Sequence, residues 1–174
     1  AVPFILLLAA RGLIVLPPPV GPLALAGVVL FGLAIGVDEG RRDRTQAGDV
    51  ATAIDAGAGP DDVVLFCPDQ LGPATHRSLV AQIETIAYPR GDGRLVDWRD
   101  YADVIAATDP ATFVADNLAD LPTVWLVAGF GYKSLGTDCE ALIDALEGTH
   151  RAHHLIAPSE AFERMLLTRY ERLG

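Results

Sequence analysis

The chain has 174 residues, half of them apolar, and a formal net charge of −10. This length accommodates one domain with a hydrophobic core together with an additional segment. Every acidic residue lies at Asp38 or later, and Arg11 is the only charged residue before that position. Subtracting the +1 of Arg11 from −10 leaves −11 on residues 38–174, a charge that repels phosphate backbones, so nucleic acid is excluded as an expected partner.

Two apolar segments, separated by the prolines of PPPVGP, open the chain. Residues 20–37 are uncharged and approach the minimum length for a helix that crosses a hydrocarbon core of about 30 Å. Residues 1–16 are apolar except for Arg11, and the intervening prolines cannot continue a helix. The pattern predicts two transmembrane helices over residues 1–40, followed by a soluble domain over residues 41–174.

Two alternatives to this membrane hairpin are considered. A signal peptide needs a basic start and a single shorter apolar core, whereas this chain begins in apolar residues and has two such runs. A buried helical hairpin of a soluble protein is the second alternative. We expect instead the tail end of a longer membrane protein, in which the small residues of the second segment allow neighbouring helices to approach closely.

Residues 41–174 alternate between short apolar runs and helical patterns. Strands are predicted at VVLFC (63–67), IETIAYP (83–89), TVWLVAG (123–129) and AHHLIA (152–157). Helices are predicted over residues 45–56, 70–82, 100–107 and 111–118, from Thr137 or Asp138 onward, and over 159–173 with Ser159 as the cap. This alternation predicts an α/β fold with a small parallel, Rossmann-like sheet flanked by helices. In such sheets, ligands bind outside the carboxyl ends of the strands.

Seven candidate ligand-binding residues follow the first and third strands: Asp69, Gln70, His76, Arg77, Tyr132, Lys133 and Ser134. Asp69 and His76 could serve acid–base chemistry, but we favour Asp69 as a helix cap and Arg77 as a solvated side chain. GFGYKS lacks the glycine that a phosphate loop places directly before its lysine. A plain turn is therefore favoured there over a weak anion or sugar contact by Lys133, Ser134 and the next helix.

Metal binding and nucleophilic catalysis have little support in the sequence. No CxxC pair anchors a zinc site, and His153 and His154 alternate along a predicted strand, so they point in different directions. No serine lies in a nucleophile elbow. We therefore expect no metal, no cofactor and no catalytic residue in this chain.

Cys67 ends the first predicted strand, and Cys139 begins the helix after the third. If these two strands are neighbours, about 4.8 Å apart, the two Cα atoms fall within the roughly 4.4 to 6.8 Å that a disulfide requires. The sequence therefore predicts a Cys67–Cys139 disulfide. The alternative is a pair of buried free thiols that pack as small apolar side chains.

Three stretches, CPDQLGPATHR, VDWRDYAD and VWLVAGFGYKSLGTDCE, follow the two apolar segments and the post-membrane helix RRDRTQAGDVATAI. Together they resemble the carboxyl-terminal part of actinobacterial polytopic glycosyltransferases of the family 39 or mannosyltransferase type, in the glycosyltransferase C superfamily. The resemblance implies a membrane enzyme that uses a polyprenyl-phosphate sugar donor and a glycan or protein acceptor. It also implies a catalytic carboxylate upstream of Ala1, so that no residue of this chain is catalytic.

The resemblance also implies that the α/β tail is an accessory domain outside the cytoplasm. The cluster of Arg41, Arg42 and Arg44 favours the opposite orientation, because basic residues are enriched on the cytoplasmic side. We follow the resemblance, since all loops of a many-helix protein set its orientation, and expect a multi-pass protein of the cell membrane. Its expected partners are the lipid bilayer and the remainder of the polytopic membrane domain. The alternative is a self-contained, membrane-anchored α/β module that binds a ligand.

Overall fold

A computed structural model describes residues 11–12, 15–41 and 44–174, and the chain divides into two compact units, Ala1–Asp43 and Arg44–Gly174. In the first unit, helix α1 spans Val20–Arg41. Its apolar part, Val20–Val37, has a mean hydropathy of 2.3 and is only 6% buried. It is the one helix within the described ranges that is long and apolar enough to cross a membrane. The first predicted membrane segment lies largely outside the described residues, so the hairpin stays a prediction.

The second unit is a mixed α/β domain. Its helices are α2 (Ala47–Gly57), α3 (Gly72–Ser78), α4 (Tyr101–Ala107), α5 (Pro110–Asn117) and α6 (Asp138–Glu147). Its strands are β1 (Val63–Cys67), β2 (Glu84–Ala87), β3 (Thr123–Ala128), β4 (His150–Ile156) and β5 (Leu166–Arg172). A 3₁₀ turn over Asp69–Leu71 precedes α3, which is shorter than the helix predicted for residues 70–82. Asp109 caps α5 as its sequence indicates, accepting a hydrogen bond from the Thr112 amide.

The five strands form one sheet in the order β2-β1-β3-β5-β4. Strand β1 runs parallel to β2 and to β3, whereas β5 runs antiparallel to both β3 and β4. The predicted α/β class is confirmed. The predicted small parallel, Rossmann-like sheet is parallel only in β2, β1 and β3, because a reversed fifth strand lies between β3 and β4.

Strand β5 replaces the helix that was predicted over residues 159–173. Leu167 packs into the core on one face of the sheet, and Tyr170 packs into the core on the other. The segment contains good helix formers, so its local propensity is ambiguous. Pairing with both β3 and β4 overrides that propensity. Ser159 does not cap a helix, and its backbone N–H donates to the side-chain oxygen of Gln46 at 2.8 Å.

Helices cover both faces of the sheet. On one face lie α4, α5 and α6, with Leu126 of β3 and Leu142 of α6 in the shared core. On the other lie α2 and α3, with Ile54 of α2 and Trp125 of β3 in the core. All five residues of β1 are buried, as expected for a strand covered on both faces. The apolar face of α2, comprising Ala47, Val50, Ala51 and Ile54, is buried as well.

The placement of the helices on the two faces of the sheet determines which loops lie together at one edge. The connection from β1 to β2 runs through α3 on one face, and the connection from β3 to β4 runs through α6 on the other. The boundary between β1 and β3 is therefore a topological switch point, where ligands of open α/β sheets are generally found. The loops after β1, β2, β3 and β4 all leave the sheet at this carboxyl edge.

Candidate functional site

The disulfide predicted from the sequence is present at the switch point. Cys67 is the last residue of β1, Cys139 lies in the first turn of α6, and their Cα atoms are 5.7 Å apart. Both residues are buried. The Gly129 amide also donates to the Cys67 carbonyl at 2.8 Å, which ties the loop after β3 to the end of β1. The two loops that were singled out in the sequence therefore form one covalently closed rim.

Asp69, the first residue after Pro68, is buried at this rim rather than placed as a helix cap. Its carboxylate accepts a hydrogen bond from the Tyr101 hydroxyl at 2.7 Å, and its backbone N–H donates to the Tyr88 carbonyl at 3.0 Å. The second carboxylate oxygen has no partner among the described residues. Burial raises the pKa of Asp69, and the Tyr101 hydrogen bond and the Arg90 charge oppose that rise only in part. The interpretation of Asp69 as a cap is thus wrong.

Replacing Asp69 with asparagine is expected to change how stability depends on pH. Because the folded state raises the pKa of Asp69, the stability linked to its protonated form is fully present below the unfolded pKa of about 4. That stability is lost as the pH rises through the folded pKa. Asp69→Asn keeps an acceptor for Tyr101 without a charge, so its unfolding free energy should fall less between pH 4 and pH 7 than that of the unchanged chain.

Urea unfolding at both pH values, followed by tryptophan fluorescence, measures this difference. Both tryptophans, Trp98 and Trp125, lie in the α/β unit, so the signal reports on that unit within the full chain. Asp116→Asn on the exposed surface of α5 is the matched control. Identical pH dependence in the Asp69→Asn variant and the unchanged chain would contradict the buried, charge-disfavouring environment.

Two tyrosines that the sequence did not single out organise the rim. The Tyr88 hydroxyl donates to the Thr108 carbonyl at 2.6 Å and lies 3.1 Å from a carboxylate oxygen of Asp138. Burial raises the pKa of Tyr88 and of Tyr101 far above the physiological range, so both remain neutral donors. These two tyrosines connect the region after β2 to the loops after β1 and β3. The only sequence signals were the YP dipeptide and the VDWRDYAD stretch.

Of the remaining predicted residues after β1, Gln70 and His76 are half-buried and Arg77 is exposed. The Arg77 guanidinium donates to the Pro73 carbonyl at 3.2 Å, within its own helix. Arg77 is therefore a largely solvated side chain, as favoured from the sequence. Among the described residues, neither His76 nor Arg77 hydrogen-bonds to Asp69, so an Asp69–His76 acid–base pair is not assembled.

After β3, Lys133 and Ser134 are exposed, and α6 begins only at Asp138. Two carboxylates, Asp138 and Glu140, occupy the first turn of that helix. They disfavour an anion at the helix amino end, where the dipole would otherwise attract one. The GFGYKS segment thus has the geometry of a plain turn rather than an anion cradle.

Tyr132 lines a cleft at the same edge, together with Phe130, Gly131, Phe162 and Arg164. The cleft has a volume of about 430 Å³. The Tyr132 ring packs beside Gly129, where an added Cβ would lie 3.2 Å from it. Burial raises the pKa of the Tyr132 hydroxyl, and the nearby Glu163 charge adds to the effect. Sequence reasoning identified Tyr132 but missed Phe162 and Arg164, because it assigned both to a helix.

A second cleft of about 450 Å³ lies between β2 and the segment that follows it, lined by Glu84, Thr85, Arg90, Gly91, Asp92 and Arg94. Its two arginines are balanced by two carboxylates, so its charge does not select an anion or a cation. Within the described ranges, no group of three or more histidine, cysteine, aspartate or glutamate side chains could hold a metal ion.

The geometry of the rim suits a rigid loop surface better than a catalytic site. Both cysteines are joined, so they provide no thiolate nucleophile. Asp69 has the raised pKa of a general acid, but it is enclosed and bonded to Tyr101. The arrangement supports recognition by a rigid loop surface. Comparison of the chain with protein-family models, with curated proteins and with solved structures finds no match.

Proposed function

We propose that the α/β unit is an extracytoplasmic accessory domain that is anchored in the cell membrane. The observation that carries this proposal is the buried Cys67–Cys139 disulfide at the switch point. Disulfides persist in oxidising compartments and are rare in the cytosol. An extracytoplasmic location accounts for the bond despite the arginine cluster that follows α1.

Helix α1 supports the anchoring half of the proposal. Its apolar part, Val20–Val37, has 18 residues, a length of about 27 Å that is close to a hydrocarbon core of about 30 Å. Large apolar side chains along it, such as Leu23, Leu30 and Phe31, are more than half exposed. Lipid would cover these side chains. In the proposed multi-pass arrangement, the segment before α1 and the remaining helices of a larger membrane protein lie beside it.

We further propose that this larger protein is a glycosyltransferase that uses a polyprenyl-phosphate sugar, and that this chain supplies a non-catalytic part. The three stretches that carry the family resemblance converge on one edge of the sheet. Cys67 and Cys139 join the first to the third, and the Tyr101–Asp69 hydrogen bond joins the second to the first. This convergence supports a shared surface for contact with a glycan or protein acceptor or with the membrane-embedded catalytic part.

Labelling of introduced cysteines tests the topology in intact cells that express the protein. Asp116→Cys places an accessible thiol on α5, and we expect a membrane-impermeant maleimide to label it without lysis. A cysteine at Pro18, between the two apolar segments, should react only after lysis if the hairpin exists. The unchanged chain, whose cysteines are paired, is the control for background. Labelling of Asp116→Cys only after lysis would overturn the extracytoplasmic location.

Sugar transfer is tested with the complete gene product in lipid nanodiscs. We expect it to transfer sugar from a polyprenyl-phosphate donor, and to retain that activity when Asp69 is replaced by asparagine, because no residue of this chain is proposed to be catalytic. A reading frame that starts at or near Ala1 would contradict the proposal that a catalytic part lies upstream. Complete loss of transfer in a folded Asp69→Asn variant would contradict the non-catalytic role.

A further inference from the structure

The cleft after β3 is bordered by aromatic side chains that the domain leaves in water. Phe162 is 96% exposed and Phe130 is 44% exposed, next to the half-buried Tyr132 and the exposed Arg164. These four residues are called the aromatic patch below. Two phenylalanine rings at one cleft are unfavourable in water, and a grouping of this kind usually marks an interaction surface.

The loop that carries Phe162 is fixed to the first residues of the α/β domain. The Glu163 amide donates to the Arg44 carbonyl at 2.9 Å, and the Gln46 amide donates to the Glu163 carbonyl at 3.4 Å. The Gln46 side-chain oxygen also accepts from the amides of Ser159 and Met165, both at 2.8 Å. The backbone next to Phe162 is therefore paired with Arg44 and Gln46, where the domain begins.

Arg44 is close in sequence to the apolar helix. Six residues lie between it and Val37, the last residue of the apolar part, and even a fully extended chain over those seven Cα–Cα steps covers only about 25 Å. A tether of this length keeps the first residues of the domain near the bilayer, and the loop bonded to Arg44 lies with them.

The charges around the patch are balanced. Arg164 and Lys133 are offset by Glu160 and Glu163, so the patch does not select a strongly anionic partner. The patch therefore favours an apolar partner. The Arg164 guanidinium can reach lipid phosphates while the aliphatic carbons of that side chain stay among apolar groups. Aromatic side chains beside a basic residue are typical of segments that lie at the boundary between headgroups and acyl chains.

We propose that the aromatic patch docks on a phospholipid surface, with the Phe162 ring inserted at the boundary between headgroups and acyl chains. The proposal rests on the membrane anchoring proposed above. Docking would hold the disulfide-closed rim at a fixed distance from the bilayer, because both belong to the same edge of the sheet.

The test uses the full chain in phosphatidylcholine nanodiscs, with a nitroxide spin label on Glu160→Cys. Glu160 is exposed and lies two residues from Phe162, so the label reports on the patch while Phe162 remains in place. We expect oxygen, relative to a water-soluble nickel complex, to relax this label several-fold more effectively than a label on Asp116→Cys. Phe162→Ser in the Glu160→Cys background should abolish the difference.

Four other outcomes would overturn the inference. Equal accessibility at residues 160 and 116, with the chain retained in the discs, defeats docking but leaves the proposed anchoring intact. Failure of the chain to co-purify with the discs defeats both proposals together. Spin–spin broadening at residue 160 identifies a second copy of the chain as the occupant of the patch. A difference that disappears in high salt indicates electrostatic adsorption instead of insertion.

Discussion

Replacing both Cys67 and Cys139 with alanine is expected to lower the unfolding free energy of the α/β unit by about 4 kcal/mol. The bond joins positions 72 residues apart, and constraining a loop of that length in the unfolded chain accounts for about 4 kcal/mol in the chain-entropy treatment. Both positions are buried, and alanine is chosen rather than serine because it leaves no unpaired hydroxyl group there. The urea midpoint, followed by tryptophan fluorescence of the full chain, should fall by about 2 M.

The reduced wild-type chain provides an internal comparison. Its midpoint should approach that of the double alanine variant, and the variant itself should not respond to the reductant. Mass spectrometry of the unreduced protein, taken from an oxidising compartment, should show that neither cysteine reacts with an alkylating reagent. Two alkylated thiols in that sample would defeat the disulfide and remove the main support for an extracytoplasmic domain.

Trp125→Ala is expected to cost about 3 to 5 kcal/mol of stability, the range observed when large aromatic side chains are removed from cores. Trp125 is 2% exposed, and its indole N–H donates to the Asp62 carboxylate at 2.8 Å. Its ring packs within 3.0 Å of a Cβ position built at Gly57, and the Arg169 guanidinium of β5 lies 5.7 Å from the ring centroid. The substitution therefore removes contacts to α2, to the turn before β1 and to β5.

Trp98→Ala is the matched control, because the same side chain is deleted at a position that is 64% exposed. Trp98 packs against Tyr101 in a tilted arrangement with 5.6 Å between ring centroids, so a loss of no more than about 1 kcal/mol is expected. Each variant keeps one tryptophan as the fluorescent probe. Equal losses for the two variants would show that Trp125 does not anchor β5 and α2 to the sheet.

The local sequence was sufficient to predict an element where the residues of the segment all favour the same secondary structure. VVLFC and TVWLVAG are too short and too rich in β-formers to be helices, and both are buried strands. The sheet places these two strands side by side, which is the condition on which the sequence predicts the Cys67–Cys139 disulfide. Asp109 and Pro110 were equally clear, because an acceptor at the cap and a proline at the first helical position favour the same helix start.

Other parts of the site depended on contacts between residues far apart in the chain. The sequence predicts Asp69 as a helix cap, because a helix is predicted to begin at the next residue. Tyr101, 32 positions further along the chain, donates a hydrogen bond to that carboxylate and helps to bury it. Neither the burial of Asp69 nor its raised pKa could be predicted without the loop that closes over it.

The sequence by itself determined the division into an apolar segment and an α/β domain and the strands β1 and β3. These features follow from hydrophobic patterns and turn residues that act over a few positions. The tertiary structure alone decided that LLTRYER forms a strand, because the segment is compatible with helix or strand until β3 and β4 present their unpaired edges. Because this segment is a strand and not a helix, Phe162 lies in a loop that is hydrogen-bonded to Gln46. The Phe162 ring is exposed beside the cleft.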